Sequence, residues 1–343
     1  MRAPLEFPWA EPPAPATVTP VAAGLGWLRM PLPFALDHIN LWLVEGAGGW
    51  TVIDTGVCRD EVKALWRALH AGAMRALPIE RVIVTHFHPD HFGLAGWLHE
   101  EHGAALWMTR AEWLTASYLY SDSAARAAGA QAELFRRNGL DAARVERYRE
   151  RGNAYRRLVA PPPPNRRIAD GERLALGDHL WEVIVGTGHA PEHACLHCAE
   201  LGVLIAGDQV LPRISPNVSV WAAEPEGDPL GEFLATLERL AALPAETLVL
   251  PSHGLPFRGL GTRIAALEAH HEERLALLAA ACEGGARSAA ELIPVLFERE
   301  LDVHQLSFAM GESLAHLAHL AGRGVLRRER GADGIERYRR SGR

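Results

Sequence analysis

Cysteine is scarce. Four residues in a chain of 343 form no disulfide framework, so stability has to come from a buried core. Long apolar runs are missing as well: no stretch approaches the roughly 20 residues that a membrane-spanning helix needs. Met1 to Pro20, rich in Pro and Ala, lacks the basic start and apolar centre of a secretion signal, and the expected location is the cytoplasm. Nor is there an excess of positive charge. The formal net charge of -7 argues against a general binder of nucleic acid or membrane surfaces. What remains is ordinary: 48% hydrophobic and 22% charged residues suit a globular chain long enough for one large and one small domain.

Histidine, by contrast, is concentrated. Thr85-His86-Phe87-His88-Pro89-Asp90-His91-Phe92-Gly93 follows Arg81-Val82-Ile83-Val84, a β-branched run that reads as a buried strand. Pro89 has no amide hydrogen for a sheet ladder, so the strand ends there, and Leu94 to His99 reads as a helix. His86 and His88, two apart in extended chain, point to one side. Asp90 and His91 lie past the bend and can face a second point. The plain alternative is a surface turn rich in His; clustering of a common metal ligand in this way weighs against it.

In chain order, residues 1–18, with Pro12, Pro13 and Pro15 among small residues, read as a flexible N-terminal arm. Strands follow at Val21 to Met30, His38 to Glu45 and Trp50 to Gly56, the last two joined by a turn at Gly46-Ala47-Gly48-Gly49. Asp54 reads as a hydrogen-bonding partner of the His-rich loop in preference to a ligand. Val62 to Gly72 is an amphipathic helix and residues 104–108 a further strand. An insert of about 110–160 is helical and crowded with arginines (Arg136, Arg137, Arg144, Arg147, Arg149, Arg151, Arg156, Arg157). Most read as a solvated face; the functional alternative is a lid in which one or two grip an anionic substrate arm.

Arg173 to Leu176, His179 to Val185, Ala194 to Cys198, Gly202 to Ala206 and Leu248 to Leu250 read as a second set of strands, with Pro229 to Leu243 a helix among them. Two sheets covered by helices fit this order, over a catalytic domain of residues 19–261. Residues 262–343 differ. Helical stretches at 263–282, 289–298 and 307–321, then a hairpin turning at Gly331-Ala332-Asp333-Gly334, give a winged-helix outline. The tail from Arg323 is basic, as a nucleic-acid wing would be, but charges balance over the whole segment, which favours a docking or pocket-wall role.

Seven residues at the ends of expected strands are candidate metal ligands: His86, His88, Asp90, His91, His189, Asp208 and His253. His86, His88 and His189 would hold one ion, Asp90, His91 and His253 the other, and Asp208 would bridge. Nitrogen and oxygen ligands without thiolate suit Zn²⁺, with Fe or Mn open to the same set. Two divalent ions about 3.5–4 Å apart can share a hydroxide whose pKa falls toward about 7, and Asp90 can accept a proton as the intermediate collapses. His193, Cys195, His197 and Cys198 resemble a metal cluster, but in a strand the two Cys point to opposite faces, and the group reads as strand core. His270, His271, His316 and His319 lie on helices and read as packed or solvated.

Thr85 to Gly93 resembles the H-x-H-x-D-H signature of the metallo-β-lactamase superfamily. Asp54-Thr55-Gly56, Gly188-His189, Gly207-Asp208 and Ser252-His253-Gly254 resemble its other motifs, in order, over residues 20–260. The resemblance implies an α+β fold, a four-layer αββα sandwich with a dinuclear site between the sheets; the C-terminal segment is similar to a winged-helix extension of some members. True β-lactamases of this fold carry Cys or Ser where Asp208 stands, and flavodiiron proteins an acid where His88 stands, so neither activity is expected. The full set resembles glyoxalase II-type thioesterases, lactonases and RNA-processing nucleases. Without the long insert of the larger nucleases, and with an acidic surface, the expected reaction is hydrolysis of a small-molecule thioester or ester, with no substrate-binding residue assignable. An endoribonuclease using the same site, and a mononuclear iron sulfur dioxygenase, are the alternatives. Membrane partners are not expected; association of copies stays open.

Overall fold

A computed structural model describes residues 4–75, 77–121 and 124–342. Seven strands form one sheet in sequence order: β1 Thr19–Ala22, β2 Leu25–Pro31, β3 His38–Glu45, β4 Trp50–Ile53, β5 Ile79–Ile83, β6 Ala105–Met108 and β7 Asn165–Arg167. β1 to β4 pair antiparallel, and β4 to β7 parallel. The second sheet contains β8 Arg173–Leu176, β9 His179–Gly186, β10 His193–Cys198, β11 Val203–Gly207 and β12 Leu248–Pro251, in the spatial order β12-β11-β10-β9-β8.

The period-two alternation of side chains sorts each strand between two cores. On β3, Ile39, Leu41 and Leu43 face the helices α1 Asp60–Ala71 and α3 Ala95–His102, whereas Trp42 and Val44 face the other sheet. On β11, Val203 and Ile205 point inward between the sheets, and Leu204 and Ala206 point outward to α7 Pro229–Ala241. Strands buried on both faces read as continuous apolar runs, which is why the two-sheet arrangement was legible. Between α1 and α3 lies the four-residue α2, Pro89–Phe92, where Pro89 sits at the first helical position.

The insert comprises α4 Arg110–Tyr120, α5 Ala124–Arg137, α6 Ala142–Glu150 and a 3₁₀ turn at Tyr155–Arg157. The C-terminal part comprises α8 Leu260–Ala281, α9 Ala289–Leu296, α10 Val303–Gly322 and a ribbon of β13 Leu326–Arg330 and β14 Glu336–Arg340. α10 begins four residues before its expected start because Asp302 and Gln305 cap it reciprocally. Its apolar face does not form a separate core: Met310, Leu314 and Leu317 share one with Phe233 and Leu237 of α7. Among the described residues no helix is long and apolar enough to cross a membrane.

Within the stretch expected as a flexible or loosely draped arm, residues 5–9 lie against the rest of the chain; residues 1–3 lie outside the described residues. Glu6 exchanges backbone hydrogen bonds with Arg258 (3.3 and 2.8 Å), Phe7 lies 6.3 Å from Phe257, and Trp9 meets Trp27 edge-on at 6.2 Å. The Pro content concealed an alternation of Leu5, Phe7 and Trp9 that gives the segment apolar surface to bury.

Candidate metal centre

The site is built where strands of both sheets end. β4 and β5 are parallel neighbours, so the residues just past them emerge side by side. Asp54 is buried in a left-handed backbone conformation, φ 61°, which turns its carboxylate under the next loop. It accepts hydrogen bonds from the Thr85 amide (2.8 Å), the Thr85 hydroxyl (2.9 Å) and His91 Nδ1 (2.8 Å). It therefore orients His91 and stands outside the ring of seven candidates.

The structure brings all seven together. His86 Nε2 lies 2.8 Å from His88 Nδ1 and 3.3 Å from His189 Nε2. Asp90 Oδ2 is 3.6 Å from His91 Nε2 and 3.4 Å from His253 Nε2. Asp208 stands between these groups, with Oδ1 3.5 Å from His91 Nε2 and 3.4 Å from His253 Nε2, and Oδ2 3.6 Å from His189 Nε2. Three sets, His86–His88–His189, His86–His91–Asp208 and Asp90–His91–His253, each converge closely enough to hold one ion.

The donor chemistry fits divalent cations. His189 Nδ1 donates to the Asn217 carbonyl (2.7 Å) and His253 Nδ1 to the His38 carbonyl (2.8 Å), which leaves each Nε2 turned into the cluster. His91 Nε2 and Asp208 Oδ1 are buried there without a hydrogen bond. Burial, reinforced by His189, pushes the His88 imidazole down to about 3, keeping it in the neutral form that binds metal. Burial also works to lower His253, but Asp208 and Asp90 overcome it and push the imidazole up to about 10. Burial works to raise Asp90, and His91 and His253 pull its carboxyl down to about 2. Carboxylates that hold protons on these rings would hold cations in their place.

Several functional neighbours were missed. His193 was placed in the strand core, and it is buried; yet its Nε2 accepts the Asp208 amide (3.1 Å) and its ring stacks 4.9 Å from that of His86. The positive φ of Gly207, 53°, brings the chain that close: a Cβ there would stand 2.5 Å from His193 Cε1. The signal available was its position at the start of a strand leading from Gly188-His189. Cys195 and Cys198 do separate, one in the outer core and one between the sheets. The carbonyls of His38 and Asn217 left no sequence signal, since any residue supplies one. Glu112 and Tyr155 of the insert also reach this loop, as described below. Three of the insert arginines have local partners on a solvated helical face, Arg136 with Glu133 (2.6 Å), Arg144 with Asp141 (3.4 Å) and Arg149 with Glu146 (3.6 Å), whereas Arg137 and Arg151 reach Glu336 and His304 of the C-terminal part.

Two family models match separate stretches of the chain. The family model for the metallo-beta-lactamase superfamily matches residues 35–253, and that for the metallo-beta-lactamase-like C-terminal domain matches residues 275–341. A crystal structure of a beta-lactamase domain protein from Burkholderia ambifaria is 46% identical with a TM-score of 0.91, covering 98% of each chain. The probable metallo-hydrolase YqjP of Bacillus subtilis is 28% identical over 67% of this chain and 71% of its own length. The acyl-coenzyme A thioesterase MBLAC2 of Gallus gallus is 28% identical over 56% of this chain, which spans 64% of that protein. With its converged His and Asp clusters and these matches over most of its length, the chain belongs to the metallo-beta-lactamase superfamily of metal-dependent hydrolases.

Proposed function

We propose that the protein is a dinuclear metal hydrolase that cleaves a small-molecule thioester or ester. The observation that carries this reading is the placement of Asp208, whose two oxygens address two imidazole groups at once, His91 with His253 and His189. In this reading His86, His88 and His189 hold one cation, Asp90, His91 and His253 the other, with Zn²⁺ the favoured metal. Bound there, the cations would supply a water acidified to act at neutral pH and would polarise the carbonyl under attack. The chain's own residues do the rest. Asp54, the His38 carbonyl and the Asn217 carbonyl fix the ring orientations. Asp90, with its side chain 17% exposed, is the carboxylate open to substrate and the proton acceptor of the site.

Thioester chemistry draws support from MBLAC2, whose name states that activity, and from the acidic net charge. In the winged-helix-like reading of residues 262–343, the nuclease alternative is weakened by the ribbon itself. Its Arg328, Arg330, Arg337 and Arg339 already face Glu226, Glu336, Asp333 and Glu329, so that part of the basic charge of the tail is paired within the protein. We assign this segment a docking or pocket-wall role.

The test is metal analysis with a substrate panel. Purified full-length protein should carry two transition ions per chain and hydrolyse members of an acyl-CoA, acyl-glutathione and lactone set. Asp90→Asn should lower kcat by 10²-fold or more, the scale of general acid–base catalysis, with the fold retained. One iron per chain with oxygen uptake, or inertness of the two-metal protein on every ester and thioester, would overturn the proposal.

A further inference from the structure

Phe87 separates His86 from His88, and its peptide groups set the angle between those two rings. Both groups are held by the helical insert. The Phe87 amide donates to Glu112 Oε2 of α4 (2.9 Å), and the Phe87 carbonyl accepts from the Tyr155 hydroxyl of the 3₁₀ turn (2.6 Å). Glu112 is fully buried, and its other oxygen, Oε1, accepts the amide of Glu192 at 2.6 Å. Glu192 lies three residues beyond His189. One buried carboxylate thus ties the loop of His86 and His88 to the loop of His189.

The tie is reciprocal. The Glu192 side chain accepts the Ala111 amide in the first turn of α4 (2.9 Å), and its carbonyl accepts the Thr109 hydroxyl (2.8 Å). The start of α4 and the loop after His189 are consequently stitched in both directions, where neither Glu112 nor Glu192 meets a cationic partner in these bonds. A buried carboxylate held only by amides is expensive unless both oxygens are used. Here both are.

We propose that Glu112 and Tyr155 are positioning residues that fix the His86–His88–His189 group, making the insert a brace for one half of the metal centre. The inference rests on the metal reading of the site. It distinguishes the two halves: His91 and His253 are held directly by Asp54 and the His38 carbonyl, which the insert does not supply, whereas Asp54 reaches His86 only through the Thr85 hydroxyl.

Competition titration of the metal-free full chain with Zn²⁺ against a chromophoric chelator tests this, with His88→Ala and His253→Ala variants identifying which affinity belongs to which half. Glu112→Gln presents an amide NH₂ to one of the two backbone donors, and Tyr155→Phe removes one hydroxyl while keeping the ring. Each should weaken Zn²⁺ at the His86–His88–His189 half by 10- to 100-fold, the usual effect of losing a group that orients a ligand. The His253-dependent affinity should stay within about threefold of wild type. Should Glu112→Gln fail to fold, Tyr155→Phe decides alone. Unchanged affinities, or equal weakening of both halves, overturn the brace while leaving the metal reading intact; a wild-type chain that binds no Zn²⁺ overturns both.

Discussion

His271 on α8 and His316 on α10 are buried against each other, with His271 Nδ1 3.1 Å from His316 Nε2. His316 Nδ1 donates to the Glu312 carbonyl (2.8 Å), so its Nε2 accepts and His271 Nδ1 donates. That leaves His271 Nε2 buried without a partner. Burial pushes both imidazoles down, His271 to about 3 with His316, His270 and Arg274 adding to the effect, and His316 to about 4 with Arg274, His270 and His319 on the same side. In the unfolded chain each titrates near about 6.5. Below that pH the unfolded state takes up protons that the native state refuses. The pair's stability contribution is therefore complete above about pH 6.5 and is lost as pH falls toward 4, by up to about 1.4 kcal/mol per pH unit for each ring. A His271→Leu/His316→Leu variant removes both groups at similar volume. Urea unfolding at pH 8 and pH 5 should show the wild type losing more stability than the variant; equal losses would assign the acid sensitivity elsewhere.

Among the elements, α10 bears on the metal centre through Gly311. A Cβ at that position would stand 2.7 Å from Ser219 Cβ, closer than packed carbons approach. Ser219 accepts from Asn217 Nδ2 (2.9 Å), and the Asn217 carbonyl holds His189. Helix propensity alone favours Gly311→Ala by about 1 kcal/mol. Overpacking costs about 1–3 kcal/mol, and a rigid neighbour places the substitution toward the upper end. Gly311→Ala should therefore unfold at lower urea, and adding Ser219→Gly should restore most of the loss, a positive coupling between the two sites. A single variant as stable as wild type would show that the loop yields freely. Nothing in the sequence marked this contact. The strand runs, the α7 pattern and the convergence of the seven candidate positions were legible because each repeats a local period or places a metal-binding residue type at a strand end. Gly311, His193 and Glu112 act through partners 92, 15 and 25 residues away, and no local pattern encodes such pairs.

Across the whole molecule, the same distinction between local pattern and distant partner decides how the C-terminal part relates to the rest. Composition and periodicity set residues 262–343 apart, and a boundary drawn between 261 and 262 falls inside α8. The packing is continuous across it. Phe233 and Leu237 of α7, Leu204 of β11 and Phe135 of α5 belong to one apolar core with Leu275, Leu292, Met310 and Leu314. The Ala290 amide donates to the Asn138 carbonyl (3.1 Å), and Arg137 pairs with Glu336 (3.3 Å), joining the insert to α9 and the ribbon. Removing residues 262–343 would expose the outer faces of α7 and of the loop that holds His189, far more apolar surface than a soluble monomer usually shows. A chain ending at residue 261 is accordingly expected to aggregate on expression, and the full chain to unfold in urea as one transition, with far-ultraviolet circular dichroism and tryptophan fluorescence coinciding. Two resolved transitions, or a truncated chain that is monomeric and binds two Zn²⁺, would show that the shared core contributes little and that the C-terminal part folds on its own.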